Sequence, residues 1–305
     1  MIEIRELTKR YGRTVAVDDL SFTVRPGHVT GFLGPNGAGK TTTMRVLLGL
    51  DAAGAGSALV GGRRYATIRR PMFEVGALLD AAAVHPGRRA ADHLTCLAYT
   101  NGIGRRRVAE VLESVGLAGV ARRRVGRFSL GMRQRLGIAG ALLGDPGVLI
   151  LDEPVNGLDP EGVRWIRDLT RSLAAEGRTI LLSSHLMSEM ELTADRLVVI
   201  GRGRLIAETS VAELAARFAR GVIVHTPRAG ELSAILESAG ATVGGEADGG
   251  LNVTGLDAAG IGDLAARHGV PVHAIAQHTA PLEDAYMRLT ADAEQFRAAP
   301  RGVAR

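Results

Sequence analysis

Gly34-Pro35-Asn36-Gly37-Ala38-Gly39-Lys40-Thr41-Thr42 satisfies the spacing G-x-x-x-x-G-K-[ST], in which each residue type has a task. Glycines let backbone N–H groups converge on phosphate oxygens, and a helix starting at the end of the loop adds partial positive charge. Lys40 would neutralise β- and γ-phosphates, and Thr41 would offer its hydroxyl to Mg²⁺. Two carboxylates, Asp152 and Glu153, end the apolar run Val148-Leu149-Ile150-Leu151. Asp152 would hold Mg²⁺ through water, and Glu153, one step nearer the phosphates, would polarise an attacking water as general base. His185 closes the run Thr179-Ile180-Leu181-Leu182-Ser183-Ser184 and would point at the γ-phosphate. These types together describe binding and hydrolysis of a nucleoside triphosphate.

Taken singly, each has a bland reading. A chain with 40 glycines in 305 residues has many glycine-rich turns. Acids at a strand end are often only solvated, and a lone histidine there is often a polar cap. Ser129 and Gly131, in Phe128-Ser129-Leu130-Gly131-Met132-Arg133-Gln134-Arg135, alone would be a helix cap. Their occurrence in one order, with this octapeptide about twenty residues before Asp152, favours the chemical reading.

The elements that must position them alternate. His28-Val29-Thr30-Gly31-Phe32-Leu33 reads as a strand entering the loop, and Thr43 to Leu50 as a helix leaving it. Ile2 and Ile4, then Ser21-Phe22-Thr23-Val24, alternate in β fashion, with turns at Tyr11-Gly12 and Pro26-Gly27. Ser57-Ala58-Leu59-Val60 and Val75-Gly76-Ala77-Leu78-Leu79 are further strand candidates, and the spacing over 90–120 predicts a helical insertion. The runs 147–151, 179–184 and 196–200, separated by helices over 163–175 and 186–194, are of the buried parallel kind. Beyond about residue 220 come strands at 222–224, 251–253 and 272–275, and helices at 230–239, 257–267 and 281–290. Gly244-Gly245 and Gly249-Gly250 read as turns. The expectation is an α/β domain with a mainly parallel sheet over 1–220, its helical subdomain at about 85–145, and a small α+β domain over 221–305 with a disordered tail.

Composition narrows the classes. Hydrophobic residues at 46% suffice for a core. The net charge of +5 and pI of about 9.9 invite a nucleic-acid reading, but the arginines are dispersed. Only Arg105-Arg106-Arg107 and Arg122-Arg123-Arg124 form runs, expected as solvated helix faces. Aromatics at 4% offer no stacking platform for bases. The single cysteine, Cys96, excludes an intramolecular disulfide framework; beside Leu94, Leu97 and Ala98 it reads as a core residue. The N-terminal residues have no signal-peptide pattern and no apolar run is long enough to span a bilayer, so a soluble, cytoplasmic chain is expected, free to dock on a membrane protein.

With these motifs in this order, residues 2 to about 220 resemble the ATP-binding subunit of an ABC transporter, a P-loop NTPase cassette with an antiparallel β subdomain and a helical insertion. The resemblance implies that Tyr11 stacks on adenine, and that Ser129 and Gly131 contact the γ-phosphate of ATP held by a second ATP-binding subunit. Two cassettes, expected as a homodimer, would enclose two ATP molecules with Asp159 at the seam. The 90–120 insertion would receive an integral membrane permease at the cytoplasmic face of a bacterial membrane. Two positions depart from the family pattern. The switch loop has Asp80 where glutamine is usual, still able to bind Mg²⁺, and the signature L-S-G-G-Q reads Phe128-Ser129-Leu130-Gly131-Met132. That form, with Pro281-Leu282-Glu283-Asp284-Ala285-Tyr286, is similar to the bacterial drug- and antibiotic-export type (daunorubicin and bacitracin resistance). Two other classes stay open: a soluble ABC ATPase with a nucleic-acid partner, and a non-hydrolysing interaction module.

Overall fold

A computed structural model describes residues 1–217, 219–245, 249–279, 282–283 and 286–287. The expected tail and most of the expected 281–290 helix lie outside these residues. The chain divides into two compact units, Met1–Val211 and Ala212–Arg288.

The first unit opens with a hairpin of β1 (Ile2–Tyr11) and β2 (Thr14–Val24), turning at Gly12, whose φ of 57° suits a residue without Cβ. Then come β3 (Val29–Leu33), α1 (Lys40–Leu47) and β4 (Ala55–Val60). β4 pairs antiparallel with the other edge of β1, giving the sheet order β2-β1-β4. A short α2 (Pro71–Glu74) leads into β5 (Val75–Leu78). The helical insertion contains α3 (Ala90–Thr100), α4 (Arg105–Ser114) and α5 (Leu130–Leu142). After it follow β6 (Val148–Leu151), α6 (Pro160–Ala175), β7 (Thr179–Ser184), α7 (Met187–Thr193), β8 (Arg196–Gly201) and β9 (Arg204–Ser210).

The second sheet runs β5-β6-β7-β3-β8-β9, parallel except for β9. Every residue of β3, β6 and β7 is buried, as uninterrupted apolar runs require when a sheet is covered on both faces. Phe22 of β2 and Phe32 of β3 meet with ring centroids 5.1 Å apart, so the two sheets share one core. α3 buries Ala90, Leu94 and Ala98, one stripe of four-residue spacing. Cys96 lies off that stripe and is exposed, contrary to its expected place in the core.

The second unit contains β10 (Ala219–His225), α9 (Ala229–Ser238), β11 (Thr242–Gly245), β12 (Leu251–Thr254), α10 (Ala258–Arg267) and β13 (Ala274–Thr279), preceded by α8 (Val211–Arg217). Its antiparallel sheet, in the order β11-β12-β10-β13, is the split βαβ arrangement. Val222, Val224, Leu232, Leu236, Val253 and Ile261 form its own core. Gly244 and Gly245, read as a turn, instead finish β11, where they pair with Asn252 and Leu251.

Candidate active site

Because β6, β7 and β3 are adjacent and parallel, their carboxyl ends open on one edge of the sheet, where ligands bind in such sheets. The phosphate loop leaves β3 there, Asp152 and Glu153 leave β6, and His185 leaves β7. A cavity of about 210 Å³ is lined by Ala16, Glu153 and residues 36–42.

Two glycines permit the loop's path. Gly39 has φ 103° and a Cβ there would stand 2.5 Å from Ala16 O; one on Gly34 would stand 2.5 Å from Ile200 O. Lys40 is buried, its Nζ donating to Gly34 O at 2.6 Å and lying 3.7 Å from Glu153 Oε1. Burial lowers its pKa, against the opposing pull of Glu153 and Asp152. Thr41 Oγ1 donates to Asp152 Oδ2 at 2.6 Å. Asp152 Oδ1 accepts the Ser183 hydroxyl, and Ser183 Oγ accepts from Glu153 N at 2.9 Å. Glu153 has φ 47°, in the left-handed region that costs a side-chain-bearing residue free energy. Ser183 at its amide and Gln134 Nε2, 3.4 Å from its carbonyl, hold that turn. His185 Nδ1 meets Glu153 Oε2 at 2.9 Å.

Other expected residues stand apart from this cluster. Ser129 is the exposed N-cap of α5, its Oγ accepting from Met132 N at 3.2 Å. Gly131 starts the same helix and faces Leu158. Asp159 caps α6, with Oδ1 accepting from Gly162 N at 2.8 Å. Tyr11, half exposed, donates to Asp51 Oδ2 at 2.7 Å, with Lys9 Nζ 4.9 Å from the ring centroid. Of the three residues expected at a metal, Thr41 and Asp152 are brought together and Asp80 is not. Its carboxylate accepts from Ala82 N at 2.7 Å, the local turn that an aspartate makes with the amide two residues on.

Sequence reasoning missed Ser183, Gln134, Asp51 and Glu189. Two hydroxyls at the end of an otherwise apolar run were a usable signal for Ser183. Glu189 takes the Ser184 hydroxyl at 2.6 Å, and burial raises its pKa. Asp51 binds Arg45 and Tyr11 through contacts that only the fold creates.

A doubly covered parallel sheet, a phosphate loop on its central strand and an acidic pair two strands away define a P-loop nucleoside triphosphatase. Comparison with known proteins narrows this. Residues 17–156 match the ABC transporter family, and residues 220–283 match a domain of unknown function (DUF8746). The chain is 45% identical over 213 residues to YhcH of Bacillus subtilis, an uncharacterized ABC transporter ATP-binding protein, covering 68% of each chain. It is 43% identical over 211 residues to the bacitracin transport ATP-binding protein BcrA of Bacillus licheniformis, covering 68% of this chain and 69% of that one. A solved ATP-binding subunit of an ABC transporter superposes with TM-score 0.64 at 27% identity, covering 72% of this chain and 93% of that one. The chain belongs to the ABC transporter ATP-binding proteins and is an ATP-hydrolysing enzyme.

Proposed function

We propose that this chain is one of two identical ATP-hydrolysing subunits that drive a separate integral membrane permease, exporting a drug-like or antimicrobial compound from the cytoplasmic face of a bacterial membrane. The observation that carries the pairing is a division of parts. Lys40, Thr41 and Glu153 line the chain's own phosphate cavity, whereas Ser129 and Gly131 lie outside it at the start of α5, with Ser129 exposed. A second copy arranged head to tail brings one subunit's Ser129 to the other's ATP. Export of such a compound is supported by the transport function in the BcrA name and by the Leu130 form of the signature.

Two hard oxygen donors side by side, the Thr41 hydroxyl and the Asp152 carboxylate, fit Mg²⁺, which keeps several waters and takes few protein ligands. Mg²⁺ held there would withdraw charge from the β- and γ-phosphate oxygens. Lys40 and the loop amides bind the phosphates, and Glu153, held by His185, takes the proton of the attacking water. Tyr11, anchored by Asp51, offers a ring to adenine.

Size-exclusion chromatography of purified Glu153→Gln with and without Mg-ATP tests the pairing. An ATP-dependent dimer is expected. A monomer that holds ATP would mean that the chain does not pair by itself and needs its membrane partner or a different second cassette.

A further inference from the structure

Residues 86–91 and 121–126 run antiparallel and are laced by backbone hydrogen bonds. Val125 N–H donates to Arg88 O at 2.9 Å, Gly126 N–H to Pro86 O at 2.8 Å and Ala91 N–H to Ala121 O at 2.8 Å, and Arg89 faces Arg124 in an isolated bridge. Like charges directly opposite one another repel. Yet the backbone sets Arg89, Arg122, Arg123, Arg124 and Arg127 around one concavity of about 450 Å³, lined among the described residues by these five alone. All five are exposed. Among the described residues, none of the five guanidiniums meets a carboxylate or donates to a protein acceptor.

The other arginine run behaves differently. Arg105-Arg106-Arg107 opens α4, Arg106 pairs with Glu110 at 2.9 Å, and Arg107 donates to Leu142 O at 2.8 Å. Those are the helix-face arginines that the sequence suggests. The 122–124 run lies off any α-helix, and among the described residues its guanidiniums meet no carboxylate.

Guanidinium forks match phosphate and carboxylate oxygens two at a time. Five in one concavity call for a dense anion, and a phosphate monoester carries about −1.5 to −2 where a carboxylate carries only one charge. The concavity has about twice the volume of the 210 Å³ cavity at the phosphate loop, room for more than one phosphate. Among the described residues no aromatic ring lines it to offer bases a stacking surface. We propose that these five arginines form a second anion site, for a ligand carrying clustered phosphate groups, supplied by a free oligophosphate or by lipid headgroups.

The test uses the full chain as Glu153→Gln saturated with Mg-ATP, so that the phosphate loop is already occupied. One arm titrates inorganic tripolyphosphate by calorimetry at about 150 mM salt, where the Debye length is about 8 Å and diffuse attraction is largely screened. The other floats the protein with phosphatidylcholine vesicles with or without phosphatidic acid, whose headgroup is a phosphate monoester. Each arm is repeated with Arg122→Gln/Arg124→Gln, and with Arg105→Gln/Arg106→Gln as a control of equal charge change. Thermal melting checks that both variants fold. The expected result is binding in one arm, weakened about tenfold or more by the first pair and less than about twofold by the control. Tripolyphosphate binding assigns a soluble ligand, and phosphatidic-acid-dependent flotation assigns a lipid surface. No binding in either arm, or equal loss from both pairs, overturns the site.

Discussion

His185 Nδ1 stands 2.9 Å from Glu153 Oε2, while the other oxygen of that carboxylate faces Lys40 Nζ at 3.7 Å. Glu153 is thus held from two sides with its backbone in the left-handed region, an arrangement that fixes where the carboxylate points. Glu153→Gln keeps the shape but cannot take a proton. It is expected to retain ATP and to lose about 10²–10⁴-fold in turnover. Equilibrium ATP binding and phosphate release, measured side by side, check this; unchanged turnover removes Glu153 from the role. Lys40→Ala should abolish nucleotide binding, and preserved affinity would count against the loop assignment.

Ser183 joins the two acids, donating to Asp152 Oδ1 and accepting from Glu153 N. Ser183→Ala strands a carboxylate oxygen and an amide at a buried position. The expected cost is about 1–3 kcal/mol of stability, with a fall in kcat larger than the rise in the KM for ATP. A melting curve and steady-state kinetics separate this from a merely structural role, which would leave kcat alone.

How far the site could be read beforehand follows from how local each contact is. The loop at residues 34–42 carries its chemistry within nine consecutive residues, and Asp152 and Glu153 stand together, so both are legible in the chain. The uninterrupted apolar runs likewise announce buried parallel strands. Ser183 acts only because β7 lies beside β6, and Asp51 only because the fold brings it to Tyr11, forty residues away. Cys96 misled because its neighbours in sequence are apolar while the buried stripe of α3 passes through 90, 94 and 98. The arginines 122–124 misled because a run of like residues does not reveal that Arg89 folds against them. Asp80 accepts from the amide of Ala82 in its own loop, a contact that the residue type alone does not announce.

Leu130, standing where the usual signature has glycine, lies against Gly157 in the loop that follows Glu153. Any Cβ on Gly157 would overlap the Leu130 side chain, and its φ of 73° disfavours one in any case. Gly157→Ala is therefore expected to push the half-exposed Leu130 side chain aside and strain its own backbone, with a stability loss of about 1–3 kcal/mol and a fall in turnover. Leu130→Gly alone is expected to be mild. Combined with Gly157→Ala it should recover part of the loss, because the overlap is gone and only the backbone cost remains. Additivity in the double-mutant cycle would show that the two loops are not coupled.

Glu189 on α7 is partly buried and takes the Ser184 hydroxyl at 2.6 Å. Burial is the main cause of its raised pKa; Glu153 adds to it, and the Ser184 hydrogen bond and His185 oppose it. A carboxyl whose folded pKa lies above its ordinary value of 4.5 binds its proton more tightly in the folded state. Its ionisation therefore costs nothing below 4.5, and the cost is complete once the pH exceeds the raised folded value. Glu189→Gln removes that cost and leaves an amide oxygen for Ser184. The variant should melt higher than the parent near neutral pH, the difference shrinking towards zero as the pH falls through 4.5. Melting temperatures of the two proteins across that range decide it. A difference that stays constant with pH would assign the effect to packing, and a variant less stable at neutral pH would mean that the ionised carboxylate is held by its surroundings.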